Sequence, residues 1–496
     1  MKNTLNTSPG LEWIQTLHGI PYFFTEQGKD WIPIGQNDAI TWPELAGLFL
    51  RKDPGRVDAY FKMLVGHGVT CIRLMLEYCQ TDHRYLEKPV GRFQQNMVRL
   101  WDDIFTLCER HGLRILLTPY DTFWMRRRWR HHPYNQAKGG PCTKRSQWLL
   151  CPDTRSAIKN RLSFATERWG NSGALFAWDL WNEIRPAHGG NSVSSFSAFI
   201  EDVGGFLKMK ELELHGRSHP QTVSFFGTSL ASDGRVSETA FRHSSLDFVN
   251  LHFYEDKSLD SPQNTTDAAI TTGNLTRKVL QEITDARPFF DSEHGPIHTF
   301  NRRRKTLAET FDDEYFRHMQ WAHFASGGAG GGMRWPYRHP HMLTPGMRKA
   351  QLALASFLPL ITFKDFKRRN LNHEIRSSDP GIARFGCGDD VQAIIWLMRT
   401  DSIGKKGLLE KKVHAKNIFL YIPFMKKGCY QVTAWDTKAG IALYKFLIEH
   451  KEEDMMCFPL LPILSDLALA VRPVPKMPCP DLLWAGSRNE LTLRWP

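Results

Sequence analysis

The chain has 496 residues, of which 42% are hydrophobic and 12% aromatic, and its formal net charge is +12. This length and apolar content suffice for a large folded core with a smaller companion, and they exclude a disordered or fibrous protein. The positive charge is spread along the chain and no basic, aromatic-interleaved module accompanies it, so we expect no nucleic-acid partner.

Short apolar, β-branched runs alternate with amphipathic stretches over much of the chain, which is typical of repeated strand–helix units. Predicted strands lie at Trp31–Gln36, Thr70–Leu76, Leu113–Pro119, Leu175–Trp181, Thr222–Gly227, Phe248–Phe253, Pro288–Glu293 and Gly330–Trp335. Predicted helices lie at Gly55–Gly66, Arg92–His111, Thr154–Trp169, Ser194–His215, Asp267–Asp285 and Asp312–Ser326. This α/β alternation favours a closed (β/α)8 TIM barrel, although the helix after the fifth strand is poorly marked.

Two further segments flank the predicted barrel. The sequence IPYFFTEQGKDWIPIG predicts a hairpin that turns at Gln27-Gly28 and covers the barrel floor. After residue 360 the helical periodicity fades, and alternating runs such as VQAIIWLMRT and YQVTAWDT appear. We therefore predict a barrel domain with its N-terminal hairpin over residues 1–360 and a small C-terminal β-sandwich over residues 361–496.

The sequence gives only weak indications of the cellular compartment and shows no pattern typical of a metal-binding site. The N-terminus, MKNTLNTSPGLEWIQ, lacks an apolar signal core, and no run of about 18 apolar residues occurs. We expect a soluble, cytoplasmic protein without membrane insertion, or a secreted one if a signal has been removed. The nine cysteines are scattered without zinc-site spacing, so no metal site is predicted.

Two glutamates follow apolar runs that end at the predicted C-terminal mouth of the barrel, where active sites of this fold are built. Glu183 ends such a run in ALFAWDLWNEIRP, and Glu293 ends another in RPFFDSEHGP. Cleavage of a glycoside with retention needs one protonated and one ionised carboxyl about 5–5.5 Å apart. Two strand-end glutamates can supply that pair, although either alone could equally cap a helix or bind an arginine.

Together with their neighbours these glutamates resemble the clan A glycoside hydrolases, most closely family 5 and its β-mannanase-like members. The resemblance is carried first by WNE, whose Asn182 would hydrogen-bond the sugar 2-hydroxyl and whose Glu183 would be the acid/base. The second motif is DSEHG, whose Glu293 would be the nucleophile. It implies a (β/α)8 barrel that acts on β-linked glycans without a metal or cofactor.

Four more positions fit the family pattern in order and spacing. Arg73, in GVTCIRLMLEY, corresponds to the arginine that orients and charges the nucleophile. His252 and Tyr254, in VNLHFYED, match the His-x-Tyr of the sixth strand, whose tyrosine usually hydrogen-bonds the nucleophile. Trp335, in GGGMRWPY, matches the tryptophan beneath the sugar in the cleavage subsite.

The chain departs from the family at the third strand, where TPYDTF offers Tyr120 and Asp121 in place of a familiar histidine. Substrate contacts at this point are therefore open. We include both residues, with Asn37 and Trp124, among the predicted substrate-binding or supporting positions. The resemblance continues weakly in the C-terminal segment, which is similar to the accessory sandwich that follows some of these barrels.

Two basic segments follow predicted barrel strands, FWMRRRWRHHPYNQAKGGP at 123–141 and NRRRK at 301–305. One interpretation is a positive cleft that binds an acidic glycan, because arginine forks suit carboxylates. The other, which we favour, is salt-bridged loop packing or a solvated surface. Strong salt inhibition with a uronate-bearing substrate would support the first.

The sequence thus predicts a retaining β-glycoside hydrolase that binds a carbohydrate substrate and needs no cofactor. A β-mannan-like glycan is slightly ahead of β-glucan. Three alternatives stay open: an exo-acting β-glycosidase, a transglycosidase with a sugar acceptor in place of water, and a non-catalytic glycan-binding barrel. The oligomeric state is not predicted.

Overall fold

The computed structural model describes residues 10–49, 53–77, 85–184, 192–227, 239, 241–254, 257–296, 307–337, 341–410, 415–451, 455–474 and 484–485. The basic segment 301–305 lies outside the described residues, and so does the side chain of Trp124. None of the described helices is long and apolar enough to cross a membrane.

Three short strands precede the barrel: β1 (Ile14–Thr16), β2 (Phe23–Thr25) and β3 (Asp30–Trp31). The barrel strands are β4 (Gly35–Asp38), β5 (Cys71–Met75), β6 (Arg114–Thr118), β7 (Leu175–Asp179), β8 (Gln221–Thr222), β9 (Ser224–Phe226), β10 (Val249–Phe253), β11 (Phe289–His294) and β12 (Met333–Arg334). Each of the eight predicted barrel strands overlaps an observed one, and the fifth consists of β8 and β9. The first was placed too early, because Trp31 belongs to β3 and the barrel strand begins at Gly35.

The barrel closes through this divided fifth strand. The nine-stranded sheet runs in the order β8-β7-β6-β5-β4-β12-β11-β10-β9, so its two ends are the two halves of one strand. Before Val223 the strand pairs with β7, where Gln221 lies opposite Trp178. After Val223 it pairs with β10, where Phe225 lies opposite Leu251. The predicted TIM barrel is confirmed.

The helices are α1 (Ala46–Phe49), α2 (Pro54–Gly66), α3 (Gln95–His111), α4 (Thr122–Arg128), α5 (Pro152–Trp169), α6 (Val193–His215), α7 (Lys257–Asp260), α8 (Thr265–Glu282), α9 (Glu309–Ala325) and α10 (Pro345–Phe357). The six predicted helices are confirmed to within a few residues. At the start of α2, Asp53 caps the helix by accepting a hydrogen bond from the Arg56 amide at 2.9 Å.

The strands β1 to β3 form an antiparallel sheet that covers the barrel floor, as predicted. The turn between β2 and β3 contains Gly28 at φ 77°, a conformation that glycine adopts without steric cost. The ring of Phe23 lies edge-on to Phe176 and Phe248, with centroids 4.9 and 5.2 Å apart. Both partners lie at the N-terminal ends of barrel strands, so this small sheet covers the N-terminal end of the barrel and not the C-terminal end.

The C-terminal segment is a β-sandwich, as predicted. Its strands are β13 (Arg369–Asn370), β14 (Arg376–Ser377), β15 (Ile382–Gly388), β16 (Ala393–Arg399), β17 (Lys416–Ile422), β18 (Gly428–Asp436), β19 (Ile441–His450), β20 (Met456–Ile463), β21 (Asp466–Pro473) and β22 (Trp484–Ala485). A seven-stranded sheet, β13-β15-β16-β21-β18-β19-β22, faces a three-stranded sheet, β14-β17-β20. Their inner faces share one apolar core, to which Ile395, Leu420 and Leu469 belong.

The chain forms two compact units, and their bounds differ from the predicted domain boundary at residue 360. One unit comprises Met1–His18, Tyr22–His252 and Met333–Met342, and the other comprises Gly19–Pro21, Phe253–Gly332 and Leu343–Pro496. The second unit therefore contains β11 and helices α8 to α10 as well as the sandwich. The division at residue 360 follows secondary structure and stays a prediction.

Within the second unit, a buried ion pair joins α9 to the sandwich. Arg317 donates to the carboxylate of Asp466 at 2.6 Å, and Trp396 donates its indole N–H to the same oxygen at 3.0 Å. Thr437 also donates to this carboxylate, at 2.5 Å. Burial alone would raise the pKa of Asp466, but the adjacent guanidinium holds it well below its usual range.

We expect Asp466→Ala to lower the free energy of unfolding by about 3–5 kcal/mol, because it leaves the buried Arg317 charge without its partner. Asp390→Ala serves as the matched control, since Asp390 binds Lys426 in an exposed ion pair, and it should cost no more than about 1 kcal/mol. Chemical denaturation of both variants measures the difference. Equal losses of unfolding free energy in the two variants would show that the buried ion pair contributes no more to stability than the exposed one.

Two histidines of α9 lie buried in the neutral form. Burial lowers the pKa of His318 to about 4, and the nearby Arg317 charge acts in the same direction. Burial likewise lowers the pKa of His323 to about 4. The ring of His323 accepts a hydrogen bond from the Asp291 amide at 3.3 Å, so it supports β11 in this neutral form.

Stability should therefore fall as the pH drops from about 6.5, the ordinary histidine pKa, towards 4. The unfolded chain takes up protons in this range while the folded state does not. Each histidine contributes a slope of up to about 1.4 kcal/mol per pH unit. Denaturation across this range should show a smaller slope for His323→Gln than for the wild type, whereas the part-exposed control His67→Gln should leave the slope unchanged. Equal slopes for both variants would contradict the assignment.

Candidate active site

The side chain of Arg73, on β5, is fully buried at the C-terminal half of the barrel and makes several hydrogen bonds. Its guanidinium donates to the Asn37 side-chain oxygen at 2.9 Å, to the Asn182 side-chain oxygen at 2.6 Å and to the carboxylate of Asp179 at 2.8 Å. Only 1% of Arg73 is exposed. The structure thus brings together three predicted residues, Arg73, Asn37 and Asn182, around one buried charge.

Asp179, the last residue of β7, is a functional candidate that the sequence analysis missed. Its side chain is completely buried, pairs with Arg73 and accepts a further hydrogen bond from the Thr118 hydroxyl at 3.1 Å. A buried guanidinium without a counter-charge would be costly, so Asp179 makes the arrangement around Arg73 possible. An aspartate inside the apolar run ALFAWDLW was the signal available for it.

Asn182 is held on both sides of its amide group. The amide oxygen accepts from Arg73 at 2.6 Å, and the amide nitrogen donates to the carboxylate of Asp121 at 2.6 Å. The backbone is fixed as well, because the Asn182 N–H donates to the Tyr120 carbonyl at 2.8 Å. Asp121, predicted as a substrate-binding or supporting residue, therefore contacts a neighbouring site residue.

Glu183 lies just beyond the end of β7 in a strained conformation. Its φ is 50°, in the left-handed region that residues other than glycine rarely occupy. The backbone N–H of Glu183 donates to the Ser224 hydroxyl at 3.1 Å, and the Ile184 N–H donates to the Ser224 carbonyl at 3.1 Å. Ser224, on β9, was also missed by the sequence analysis. It stabilises a turn that leaves the Glu183 side chain 14% exposed.

His252, one of the predicted substrate-binding or supporting residues, lies beside Glu183. The Nδ1 atom of His252 lies 3.0 Å from a carboxylate oxygen of Glu183, and the histidine side chain is completely buried. A buried imidazole at this distance can exchange a proton or a hydrogen bond with the carboxyl group. Both residues belong to the first compact unit.

Trp335 follows β12 and is half-buried. Its ring meets the ring of Trp42 edge-on at 5.0 Å, and Trp42 stacks on His341 at 4.9 Å. Only 4% of Trp42 is exposed, so it packs against Trp335 as a buried ring. Trp42 and His341 were not predicted, because nothing local in their sequence marks them as neighbours of Trp335.

The side chain of Tyr120 is engaged away from the groups around Arg73. Its hydroxyl lies 2.7 Å from that of Tyr134, which donates to Glu87 at 3.0 Å. Its ring stacks on Trp181 at 4.9 Å, and the Arg161 guanidinium lies 4.7 Å from its centre. Tyr120, predicted as a substrate-binding or supporting residue, packs into this buried cluster beneath the end of β6, and its role at the site stays a prediction.

In the second unit, Glu293 and Tyr254 are paired as predicted. The tyrosine hydroxyl donates to a carboxylate oxygen of Glu293 at 2.6 Å, and both side chains are buried. Glu293 is the penultimate residue of β11, and its N–H donates to the Asp291 carboxylate at 3.2 Å. A short hydrogen bond of this kind stabilises the carboxylate charge and fixes its orientation.

His294, which follows Glu293, points away from the barrel axis as strand alternation predicts. Its Nδ1 atom lies 2.8 Å from the Asp291 carboxylate, and its ring centre lies 6.1 Å from that of Phe316 on α9. Gly332, at φ 73°, is in close contact with this pair, and a Cβ there would lie 3.0 Å from Asp291. The side chain of His294 thus supports β11 from outside.

The first basic segment contains both exposed and buried residues. Arg126, Arg127 and Arg130 are exposed, and the Arg127 guanidinium lies 5.1 Å from the ring centre of Phe123 on α4. Phe123 is itself 41% exposed. An exposed aromatic ring beside exposed guanidinium groups is compatible with both interpretations of this segment, a solvated surface or an acidic-glycan contact.

The fold is similar to that of solved glycoside hydrolases. A structure described as a glycoside hydrolase gives a TM-score of 0.57 at 12% identity, over 94% of this chain and 98% of that one. A family 5 glycoside hydrolase from Bacteroides vulgatus ATCC 8482 gives 0.57 at 11% identity, over 95% and 96%. The endo-1,4-β-mannanase of Rhizomucor miehei gives 0.50 at 14% identity, over 65% and 90%.

Sequence comparison adds nothing to this likeness, since no protein-family model and no curated protein matches the chain. The structural likeness extends over the sandwich as well as the barrel in the first two cases. The expected resemblance to family 5 glycoside hydrolases of clan A is confirmed at the level of the fold.

The strain at Glu183 leads to a stability prediction. Glu183→Gly should be more stable than Glu183→Ala by about 0.5–1 kcal/mol, because glycine adopts the observed φ without steric cost. Ala198→Gly, at an exposed position within α6, should have the opposite sign and lose about 1 kcal/mol. Thermal or chemical unfolding measures both pairs. If glycine destabilised both positions alike, Glu183 would not be strained.

Proposed function

We propose that the protein is a retaining β-glycoside hydrolase with Glu183 as acid/base and Glu293 as nucleophile. The observation that carries the proposal is the position of the two carboxylates. They lie at the C-terminal ends of β7 and β11, two strands of the same barrel sheet. Active sites of (β/α)8 enzymes are built at this end.

The partners of Glu293 support its role as nucleophile. It attacks the anomeric carbon of the bound sugar and forms a glycosyl-enzyme intermediate, which requires an ionised carboxylate held in a fixed orientation. The hydroxyl of Tyr254 donates to one oxygen at 2.6 Å. The other oxygen of the same carboxylate then performs the attack.

The partners of Glu183 support its role as acid and base. In the first step it donates its proton to the departing glycosidic oxygen, and in the second it takes a proton from the attacking water. His252 lies 3.0 Å from the Glu183 carboxylate, within reach of proton exchange. The Ser224 hydroxyl holds the backbone of Glu183 in the conformation that projects its side chain.

The substrate we propose is a β-linked glycan, with a mannose-containing polymer ahead of β-glucan. One of the similar structures is named an endo-1,4-β-mannanase, which favours this class. The exposed arginines beside Phe123 make an acidic substituent a second possibility. The half-buried ring of Trp335, which packs against Trp42, supplies the apolar face on which a pyranose ring packs.

The proposal is tested by hydrolysis of aryl β-glycosides and of neutral and acidic β-glycans. Glu183→Ala and Glu293→Ala should each lower kcat by at least about 1,000-fold, the scale on which removal of a group required for the chemical step acts. Azide should rescue both variants, giving the β-glycosyl azide with Glu183→Ala and the α-glycosyl azide with Glu293→Ala. Glu309→Ala, at an exposed position on α9, is the matched control and should retain full activity.

The same experiment separates the alternatives. Proton NMR of the first product should show the β-anomer, as a retaining mechanism requires, and an α-anomer would overturn the assignment. Disaccharide products that depend on an added sugar acceptor would indicate a transglycosidase. Release of single sugars from chain ends would indicate exo action. An inactive wild-type protein that still binds glycans would favour the non-catalytic barrel.

A further inference from the structure

We propose that Asp121 is a positioning residue that orients the Asn182 amide, and that the preference for a sugar 2-hydroxyl depends on it. The inference rests on the proposed function, in which Asn182 contacts that hydroxyl. It starts from the place where the chain departs from the family pattern, the end of β6.

The Asn182 amide lies between opposite charges. Its oxygen accepts from the Arg73 guanidinium at 2.6 Å, and its nitrogen donates to the Asp121 carboxylate at 2.6 Å. A rotation of the amide by half a turn would place its oxygen against the carboxylate and its NH2 group against the guanidinium. Both contacts would then be repulsive, so the two charges together select one orientation.

This orientation leaves the amide suited to a sugar. An amide nitrogen carries two N–H groups, and one of them is used by Asp121. The second N–H is the group that can donate to a hydroxyl of the bound substrate. Without Asp121, the amide would still be held through its oxygen, by Arg73 at 2.6 Å and by the Ser224 hydroxyl at 3.4 Å, but the nitrogen side would lose its charged partner.

Asp121 is itself held firmly. Only 4% of the residue is exposed, and the oxygen that binds Asn182 also accepts from the Phe123 N–H at 3.2 Å. Its backbone pairs with that of Asn182 in a parallel bridge. The preceding residue, Tyr120, is fixed between Trp181 and Arg161, as described above. The buried cluster therefore anchors the carboxylate that orients the amide.

The charge of Asp121 adds to the effect of its position. Hydrogen bonds to a charged group are about twice as strong as neutral ones. Hydrogen bonds to the sugar 2-hydroxyl strengthen in the transition state of glycoside cleavage. An amide fixed in advance should therefore act mainly on kcat, because it improves transition-state binding more than ground-state binding.

The test compares two aryl β-glycosides that differ only in the 2-hydroxyl, the parent sugar and its 2-deoxy analogue. For the parent sugar, Asp121→Leu should lower kcat/KM by about 10- to 100-fold, the effect of losing one hydrogen bond to a charged group. For the 2-deoxy sugar, the same variant should stay within about 3-fold of the wild type, because no amide contact remains to be lost. Asp121→Asn keeps a neutral acceptor and should fall between the two.

A control variant and the comparison of the two substrates separate a positioning role of Asp121 from a purely structural one. Asp103→Leu, at an exposed position on α3, should leave both substrates unaffected. An equal loss of kcat/KM for the two substrates would overturn the inference, since it would mean that Asp121 supports the site only structurally. The inference would also fail if Asp121→Leu discriminated between the parent and the 2-deoxy sugar as well as the wild type does. A wild-type protein inactive on both sugars would overturn the proposed function and this inference together.

Discussion

The buried charge of Arg73 is the constraint on which the candidate site depends. A guanidinium inside a barrel is stable only if it meets a counter-charge and hydrogen-bond acceptors, and Asp179, Asn37 and Asn182 supply them. These partners come from two barrel strands, since Asn37 lies on β4 and Asp179 and Asn182 lie at and just beyond the end of β7. Their side chains are therefore fixed relative to one another before any substrate arrives, which is the pre-organisation that catalysis by electrostatic stabilisation requires.

Much of the fold could be predicted from sequence, because its elements leave local signals, and the candidate site residues were proposed from signals of the same kind. Barrel strands are buried on both faces, so Cys71–Met75 and Leu175–Asp179 stand out as apolar runs between amphipathic helices. The two glutamates also stand out, since burying a carboxylate at the end of such an apolar run costs free energy unless it is paired or hydrogen-bonded. The division of the fifth strand leaves no such signal, because it follows from which neighbour each half meets.

The supporting residues escaped prediction for a physical reason. Ser224 hydrogen-bonds the Glu183 backbone from another strand. Trp42 and Trp335 are in ring contact although almost the whole barrel sequence separates them. Strand periodicity also predicts extended backbone, whereas Glu183 turns to φ 50°. The surroundings of Tyr120 were equally hidden from the sequence, because its side chain turns into a buried cluster whose other members are distant in the chain.

Helix α9 links two structures that are usually considered separately. At one point its His323 accepts from the backbone of β11, the strand that carries Glu293, and at another its Arg317 is neutralised by Asp466 of the sandwich. The sandwich is thus more than an appended module that evolution could exchange freely. A replacement sandwich would have to supply its own carboxylate for Arg317, because otherwise the helix that supports β11 would carry an unpaired buried charge. The two parts are therefore expected to be inherited together.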